Sequence, residues 1–137
     1  MGVKHFVNMN LEQLHSDPRG DIYRVLLPGD RELMLFFCKA GYLRGGHSHD
    51  CSEMVILLSG KMRYHKWVDG AEELTDLEEG QVSYNPAGVA HLGEFLTDCW
   101  LLDWKLGGVP ASGFVTTDFP QFRERVLRTL ENHGQAT

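Results

Sequence analysis

The middle of the chain alternates short apolar stretches with turn residues, roughly every ten positions, as expected of a fold made of short strands. Apolar, aromatic and β-branched residues predict strands over 21–28, 31–40, 53–59, 61–68, 72–77, 81–85, 91–96 and 99–106. Asp69 and Gly70, between two of these segments, form a dipeptide typical of two-residue hairpin turns. No helical segment separates the strands, which disfavours a parallel α/β sheet. The pattern predicts an all-β sandwich or barrel.

The end of the chain changes to a helical pattern after a glycine- and proline-containing loop at 107–113. Four apolar residues then recur three or four positions apart and share one helical face: Phe119, Phe122, Val126 and Leu130. Asp118 is a suitable N-cap for this segment. We expect a short C-terminal helix over 119–132, packed outside a barrel core over 21–106. Together they would form one domain over 1–137.

Composition and charge narrow the class of protein. The 137 residues are 42% hydrophobic and carry a formal net charge of −6, which suits one globular domain and disfavours nucleic acid or anionic membrane as a partner. No apolar run approaches the roughly 18 residues that span a bilayer. The three cysteines, Cys38, Cys51 and Cys99, cannot all pair within one chain. These features favour a soluble cytoplasmic protein.

Four residues have the character of metal ligands. His47, His49 and Glu53 share parity, so in an extended strand their side chains would point the same way. Two imidazoles and a carboxylate resemble a metal site with open coordination positions. His91 follows a Pro-Ala-Gly turn at the start of another predicted strand. It would complete a set of three nitrogens and one oxygen.

The spacing of these residues resembles both sequence motifs of the cupin superfamily. The first motif is carried by Gly41, His47, His49, Glu53 and Gly60, and the second by Gly80, Pro86, Gly88 and His91. The resemblance implies a double-stranded β-helix, also called a jelly-roll barrel. It further implies one divalent metal ion held inside by His47, His49, Glu53 and His91. One position departs from the motif, because Phe95 stands where the second motif usually has Asn.

The ligand types suit several metals. Neutral imidazoles together with a carboxylate are compatible with Fe, Zn, Ni or Mn. In an octahedral shell, four protein ligands would leave two positions for water, substrate or oxygen, as a catalytic site requires. The alternative is a cupin that retains these residues without a metal.

Three further residues are candidates for contact with a substrate. Asp103 alternates with the tryptophans of CWLLDWKL; it faces the interior if they face outward, and would then be a candidate catalytic acid or base. The alternative is a surface ion pair between Asp103 and Lys105. Tyr64 and His65 point to opposite faces, so only one can line a cavity, and Tyr64 is the candidate for substrate binding. Arg44, just before the first motif histidine, could hold an acidic substrate.

The resemblance leaves three classes of function open. The first is a metal-dependent isomerase or lyase acting on a sugar, a uronate or an organic acid. The second is an Fe(II)-dependent dioxygenase, and the third is a non-catalytic module that binds metal or ligand. The segment MVILL is apolar on both faces, so its outer face needs a cover, and a homodimer is expected.

Overall fold

A computed structural model describes residues 10–29, 31–107 and 113–135, with side chains of the last segment described through residue 132. Six strands form one sheet: β1 (Asn10–Asp17), β2 (Gly20–Leu27), β3 (Arg31–Cys38), β5 (Glu53–Ser59), β8 (Val82–Asn85) and β10 (Cys99–Lys105). Five strands form the other: β4 (Leu43–His49), β6 (Met62–Val68), β7 (Ala71–Leu77), β9 (His91–Phe95) and β11 (Thr116–Asp118). One helix follows, α1 (Pro120–Gln135).

The two sheets are antiparallel and face each other. Their strand orders are β1-β2-β3-β10-β5-β8 and β11-β4-β9-β6-β7. From β3 onward the chain passes repeatedly from one sheet to the other, so neighbours in a sheet are distant in sequence except in the β6–β7 hairpin. This is the all-β jelly-roll barrel with a short C-terminal helix that the sequence predicts.

Three strands lie outside the segments predicted from the sequence: β1, β4 and β11. β4, which reads LRGGHSH, has glycines and histidines in place of an apolar alternation, and the other two lie at sheet edges. β1 pairs only with β2, and seven of its eight residues are exposed. β11 has three residues, all exposed, and pairs with β4. An edge strand with no buried face needs no alternation of apolar and polar residues, so neither segment carries the pattern used to find strands. The six-stranded sheet therefore begins at Asn10, before the predicted boundary at position 21.

The main core lies between the sheets. Its buried members are Cys38, Val55, Leu57, Met62, Tyr64, Leu77, Phe95, Cys99 and Leu101. Phe95, at the position that departs from the second motif, is only 2% exposed. The departure therefore exchanges a polar residue for core packing. Several members of this core, among them Met62 and Leu101, also line a cavity inside the barrel.

A second apolar cluster joins α1 to the outer face of the five-stranded sheet. Phe122 and Val126 are fully buried there against Ala90 and Leu92. Phe119 and Leu130 also pack against the cluster, which confirms the predicted apolar stripe. The N-cap prediction is wrong. Asp118 belongs to β11, and the carbonyl of Phe119 accepts the first helical hydrogen bonds. Among the described residues, no helix is both long enough and apolar enough to cross a bilayer.

Candidate metal centre

Three histidines converge at one point inside the barrel. His47 and His49 lie in β4, and His91 begins the neighbouring strand β9, directly opposite His47. One nitrogen from each ring can be chosen so that all three lie within 4.8 Å of one another. The ring centroids are 4.6 to 5.2 Å apart. Among the described residues, these three histidines form the group of side chains whose ligand atoms lie close enough together to hold a metal ion.

A glycine bulge in β4 sets the direction of these side chains. The register of β4 against β9 shifts between Gly45 and His47, and both Gly45 and Gly46 have positive φ, 100° and 83°. Such an irregularity re-aims the side chains on either side of it. Arg44 and His47, three positions apart, consequently both line the cavity.

The bulge is also closely packed on both sides. A Cβ atom at Gly45 would lie 3.0 Å from the carbonyl oxygen of His91, and one at Gly46 would lie 2.9 Å from the backbone of Arg123 in α1. The backbone N–H of Phe119 donates to the carbonyl of Gly46 at 2.8 Å. The start of the helix therefore rests directly on the segment that carries the first two histidines.

Strand β11 orients one of the rings. The Thr116 hydroxyl lies 3.1 Å from Nδ1 of His49. The other ring nitrogen, Nε2, is directed toward Glu53, 3.8 Å from its Oε2. A partner on one imidazole nitrogen fixes the ring and leaves the second nitrogen available for a metal.

Glu53 approaches the histidines from the opposite sheet. It begins β5, and its Oε1 lies 3.2 Å from Nε2 of His91. The same oxygen accepts a hydrogen bond of 3.0 Å from the Asn85 side chain. The second oxygen, Oε2, pairs with the ammonium of Lys105.

The structure therefore places Glu53 beside His49 and His91, while the group whose donor atoms lie within 4.8 Å of one another consists of the three histidines. The expectation that Glu53 shares an extended strand with His47 and His49 is wrong, because Glu53 lies in β5 of the other sheet. The structure also adds a lysine that the sequence had not placed there.

The electrostatics favour metal binding by the rings. Burial lowers the pKa of His47 to about 3 and that of His49 to about 4, and it also lowers the pKa of His91. Burial alone would raise the pKa of Glu53, but His91 and Lys105 outweigh it and hold this pKa below its usual value. Neutral imidazoles beside an ionised carboxylate are the protonation states that bind a divalent metal. The donor set therefore fits such an ion.

The cavity around this centre has a volume of about 360 Å³ and a surplus of cationic groups. Its charged lining comprises Arg19, Arg44, Arg123 and Lys105 against Glu53 and Asp103. The Arg44 side chain is 11% exposed and lies 3.8 Å from Asp17. Its Nε and Nη2 atoms are buried and make no hydrogen bond to the described residues. A buried guanidinium with donors to spare is suited to an anionic ligand.

Asp103 and Lys105 lie inside the cavity, so the alternative of a surface pair is wrong. Asp103 is 8% exposed and the Lys105 side chain 7%, with 3.8 Å between Nζ and Oδ2. Burial raises the pKa of Asp103 to about 7. Trp100, on the other face of β10, points outward and packs against Phe37, 4.9 Å between ring centroids.

Tyr64 is the member of its pair that faces the cavity. It is 5% exposed, and its ring stands edge-on to His91 at 6.3 Å. His65 points to the opposite face, where its Nε2 lies 2.8 Å from Glu94. The structure thus separates the two side chains as their parity predicts. A contact between Tyr64 and a substrate stays a prediction.

The cavity or support residues that escaped the sequence reasoning include Arg19, Asn85, Lys105, Phe114, Thr116 and Arg123. Arg19 and Arg123 come from segments outside the predicted barrel core. Lys105 shares parity with Asp103, so its inward direction could have been inferred once the tryptophans were assigned outward. Asn85 directly precedes Pro86 of the second motif, but no sequence signal identifies Glu53 as its partner.

Comparison with known proteins gives matches in structure alone. No protein-family model and no curated protein matches the sequence. Oxalate decarboxylase from Bacillus subtilis matches with a TM-score of 0.64 and 20% identity, over 80% of this chain and 32% of the other. The capsular polysaccharide assembling protein CapF from Staphylococcus aureus matches with a TM-score of 0.59 and 17% identity, over 86% of this chain and 34% of the other. Vicilin from hazelnut, Corylus avellana, matches with a TM-score of 0.64 and 11% identity, over 79% of this chain and 34% of the other.

These matches determine the fold. The chain spans about a third of the length of each of these proteins, and their names indicate different functions. What they share with this chain is the barrel. With its two facing antiparallel sheets, this chain has the cupin fold.

Proposed function

We propose that the protein is a divalent-metal-dependent enzyme acting on a small anionic molecule, such as an organic acid or a uronate, by isomerase or lyase chemistry. The observation that carries this proposal is the convergence of three neutral imidazoles and a carboxylate at the wall of a cationic cavity. A purely structural metal site would be closed by its ligands, whereas this one borders open space.

His47, His49, His91 and Glu53 would hold the metal, which is Fe, Zn, Ni or Mn. A bound divalent ion supplies Lewis-acid polarisation of a carbonyl or carboxylate oxygen. Support for a divalent ion on this fold comes from Bacillus subtilis oxalate decarboxylase, which has Mn(II) centres. That protein shares 20% identity with this chain, so it supports a class of metal without identifying it.

The charge of the cavity supports an anionic substrate. Arg44, Arg123 and Lys105 line the cavity against Glu53 and Asp103, and the fourth cation, Arg19, is already paired with Asp17. The buried Nε and Nη2 donors of Arg44 make no hydrogen bond to the described residues. Asp17, 3.8 Å from Nη2 of Arg44, is beyond hydrogen-bond distance, so a carboxylate could accept charge-assisted hydrogen bonds from these donors, whereas a neutral sugar would form weaker ones. Organic acids and uronates are therefore preferred over neutral sugars.

Asp103 is the candidate for proton transfer. A carboxyl group with a pKa near neutrality can both donate and accept a proton at that pH. Its Oδ1 is buried and makes no hydrogen bond to the described residues. Tyr64, which lines the cavity, is the candidate for orienting the substrate through its hydroxyl group.

Elemental analysis tests the metal centre. The protein is purified without chelators or a metal-affinity tag, and His91→Ala is compared with the wild type. We expect about one ion per chain in the wild type and a sharp loss in the variant, because His91 supplies one of three nitrogens. His15→Ala, which removes an exposed imidazole, is the matched control. Unchanged occupancy in His91→Ala would contradict the ligand assignment.

Activity assays on the purified protein, read together with its metal content, separate the alternatives. Iron as the bound metal, with activity lost on exposure to air, would favour an Fe(II)-dependent dioxygenase. A bound metal with no turnover across a panel of organic acids, uronates and sugars would favour a non-catalytic binding module.

A further inference from the structure

Lys105 is enclosed with Glu53 inside the barrel. The two residues are direct neighbours across β10 and β5, and their side chains are 7% and 4% exposed. The ammonium contacts Oε2 of Glu53, lies 3.8 Å from Asp103 and stands 4.6 Å from the centroid of the Phe114 ring. A lysine in this position is part of the cavity wall and acts on whatever binds there.

Four side chains approach the two carboxylate oxygens of Glu53. Asn85 and His91 face Oε1, and Lys105 and His49 face Oε2. If Glu53 binds a divalent cation among the three rings, that cation competes with Lys105 for the carboxylate. The two cations also repel each other strongly, because the interior screens charge weakly. Metal binding and the Lys105–Glu53 pair therefore oppose each other.

The surroundings allow the ammonium to part from Glu53 without leaving the cavity. The face of Phe114 offers a cation–π contact, and Lys105 lines the same cavity as Arg44 and Arg123. With a divalent ion in place, this region carries surplus positive charge whether or not Asp103 is ionised. An anion would neutralise that surplus.

We infer that Lys105 is a metal-responsive anchor for the anionic group of the ligand, retained by Glu53 until a divalent metal ion takes over that carboxylate. The inference rests on the proposed function and deepens it. It makes the metal and the anion bind cooperatively, with the metal preparing the anion site. Because binding couplings are reciprocal, a bound anion also tightens the metal.

The test compares Lys105→Met with the wild type, because methionine keeps an unbranched apolar side chain and removes the charge. Mn(II) affinity is measured by titration calorimetry, and malonate affinity is then measured on the Mn(II)-loaded proteins. We expect Lys105→Met to bind Mn(II) about 10-fold more tightly and malonate about 10-fold more weakly, within the usual range of coupling between two sites. Mn(II) affinity equal to or below that of the wild type, or unchanged malonate affinity, would overturn the inference.

Lys66→Met is the matched control. Lys66 is also partly buried, but its ammonium bonds to Ser83 and the carbonyl of Tyr84 rather than to Glu53. We expect this change to alter both affinities by less than about 2-fold, since Lys66 does not compete for the metal carboxylate. Equal effects in the two variants would indicate a general charge effect and overturn the specific role of Lys105.

A measurement on the wild type covers the case in which Lys105→Met does not fold. The side-chain ammonium signal of Lys105, observed by 15N NMR, should shift on addition of diamagnetic Zn(II) and shift again on addition of malonate. A signal that Zn(II) binding leaves unmoved would overturn the inference. Failure of the wild type to bind Mn(II), Fe(II), Zn(II) or Ni(II) would instead overturn the proposed function, and the inference with it.

Discussion

At the scale of single residues, the cavity combines groups with different tasks in a small volume. The neutral histidines are suited to binding a metal ion, and the guanidinium groups are suited to binding an anion. Asp103 is suited to proton transfer. Arg44 links these tasks, because the same bulge that directs His47 inward also directs Arg44 into the cavity. Substrate affinity should therefore depend on Arg44 while metal affinity does not require it.

Arg44→Gln should weaken malonate binding to the Mn(II)-loaded protein by about 10- to 100-fold, the value of one or two charge-assisted hydrogen bonds. Titration calorimetry measures the effect, and Mn(II) occupancy should stay near that of the wild type. Arg24→Gln is the control, because Arg24 pairs with Glu12 on the surface. Equal malonate affinity in both variants would remove Arg44 from the proposed anion site.

The histidines also predict how stability varies with pH in metal-free protein. The folded pKa values of His47 and His49 are about 3 and about 4, below the unfolded value of 6.5. Between pH 6.5 and about 3 the unfolded chain binds more protons than the folded chain, so the contribution of the neutral rings to stability is complete above pH 6.5 and is lost as the pH falls toward 3. Thermal melting with a chelator should show the melting temperature falling across this window.

His47→Gln should flatten that pH dependence, because it removes one of the titrating rings from the interior. His15→Gln, which changes an exposed ring, should leave the slope as in the wild type. A slope in His47→Gln as steep as that of the wild type would show that the rings do not govern acid stability.

At the scale of elements, apolar pattern and turn residues identified the strands that have a buried face. β5 spans the predicted segment, and β10 contains the alternation that separates Trp100 from Asp103. β1 and β11 escaped prediction because edge strands need no such alternation, and β4 escaped it because glycines and histidines replace apolar residues in LRGGHSH. For the site, spacing selected the three histidines that the structure groups together, and Glu53, which lies beside two of them. The Glu53–Lys105 contact could not be predicted, because strand register between β5 and β10 is a tertiary property.

The contact between the β4 bulge and α1 can be tested at two glycines with the same backbone. Gly46 and Gly80 have φ of 83° and 84°, but a Cβ at Gly46 meets the backbone of Arg123 whereas one at Gly80 meets nothing within 4 Å. Both alanine variants pay the strain of positive φ. Gly46→Ala should lose about 1–3 kcal/mol more, because the helix must shift. Urea denaturation measures both, and equal losses would contradict the close packing.

At the scale of the whole molecule, the six-stranded sheet presents an apolar outer face. Its half-exposed residues include Leu58, Val82, Tyr84 and Trp100. The opposite sheet is partly covered by α1, whereas among the described residues no element lies over this face. A second copy of the chain would bury it, and the predicted homodimer remains the expected cover.

Trp100→Glu should shift the protein toward monomer, because a charge would be placed on the surface that the partner covers. Sedimentation equilibrium measures the change. Leu74→Glu is the control, since Leu74 is 57% exposed on β7 of the other sheet. A wild type that is already monomeric, or a Trp100→Glu variant that dimerises as well as the wild type, would contradict the dimer surface.

The docking of α1 on the bulge has a consequence for biosynthesis. Gly45 and Arg123, which are in contact, are 78 positions apart, and the ribosome adds about 5–20 residues per second. The strand with the first two histidines therefore emerges roughly 4 to 16 s before the helix that braces it. During that interval the apolar side chains beneath α1 have no cover. The nascent chain would then offer a chaperone a binding surface that disappears once translation has supplied the helix.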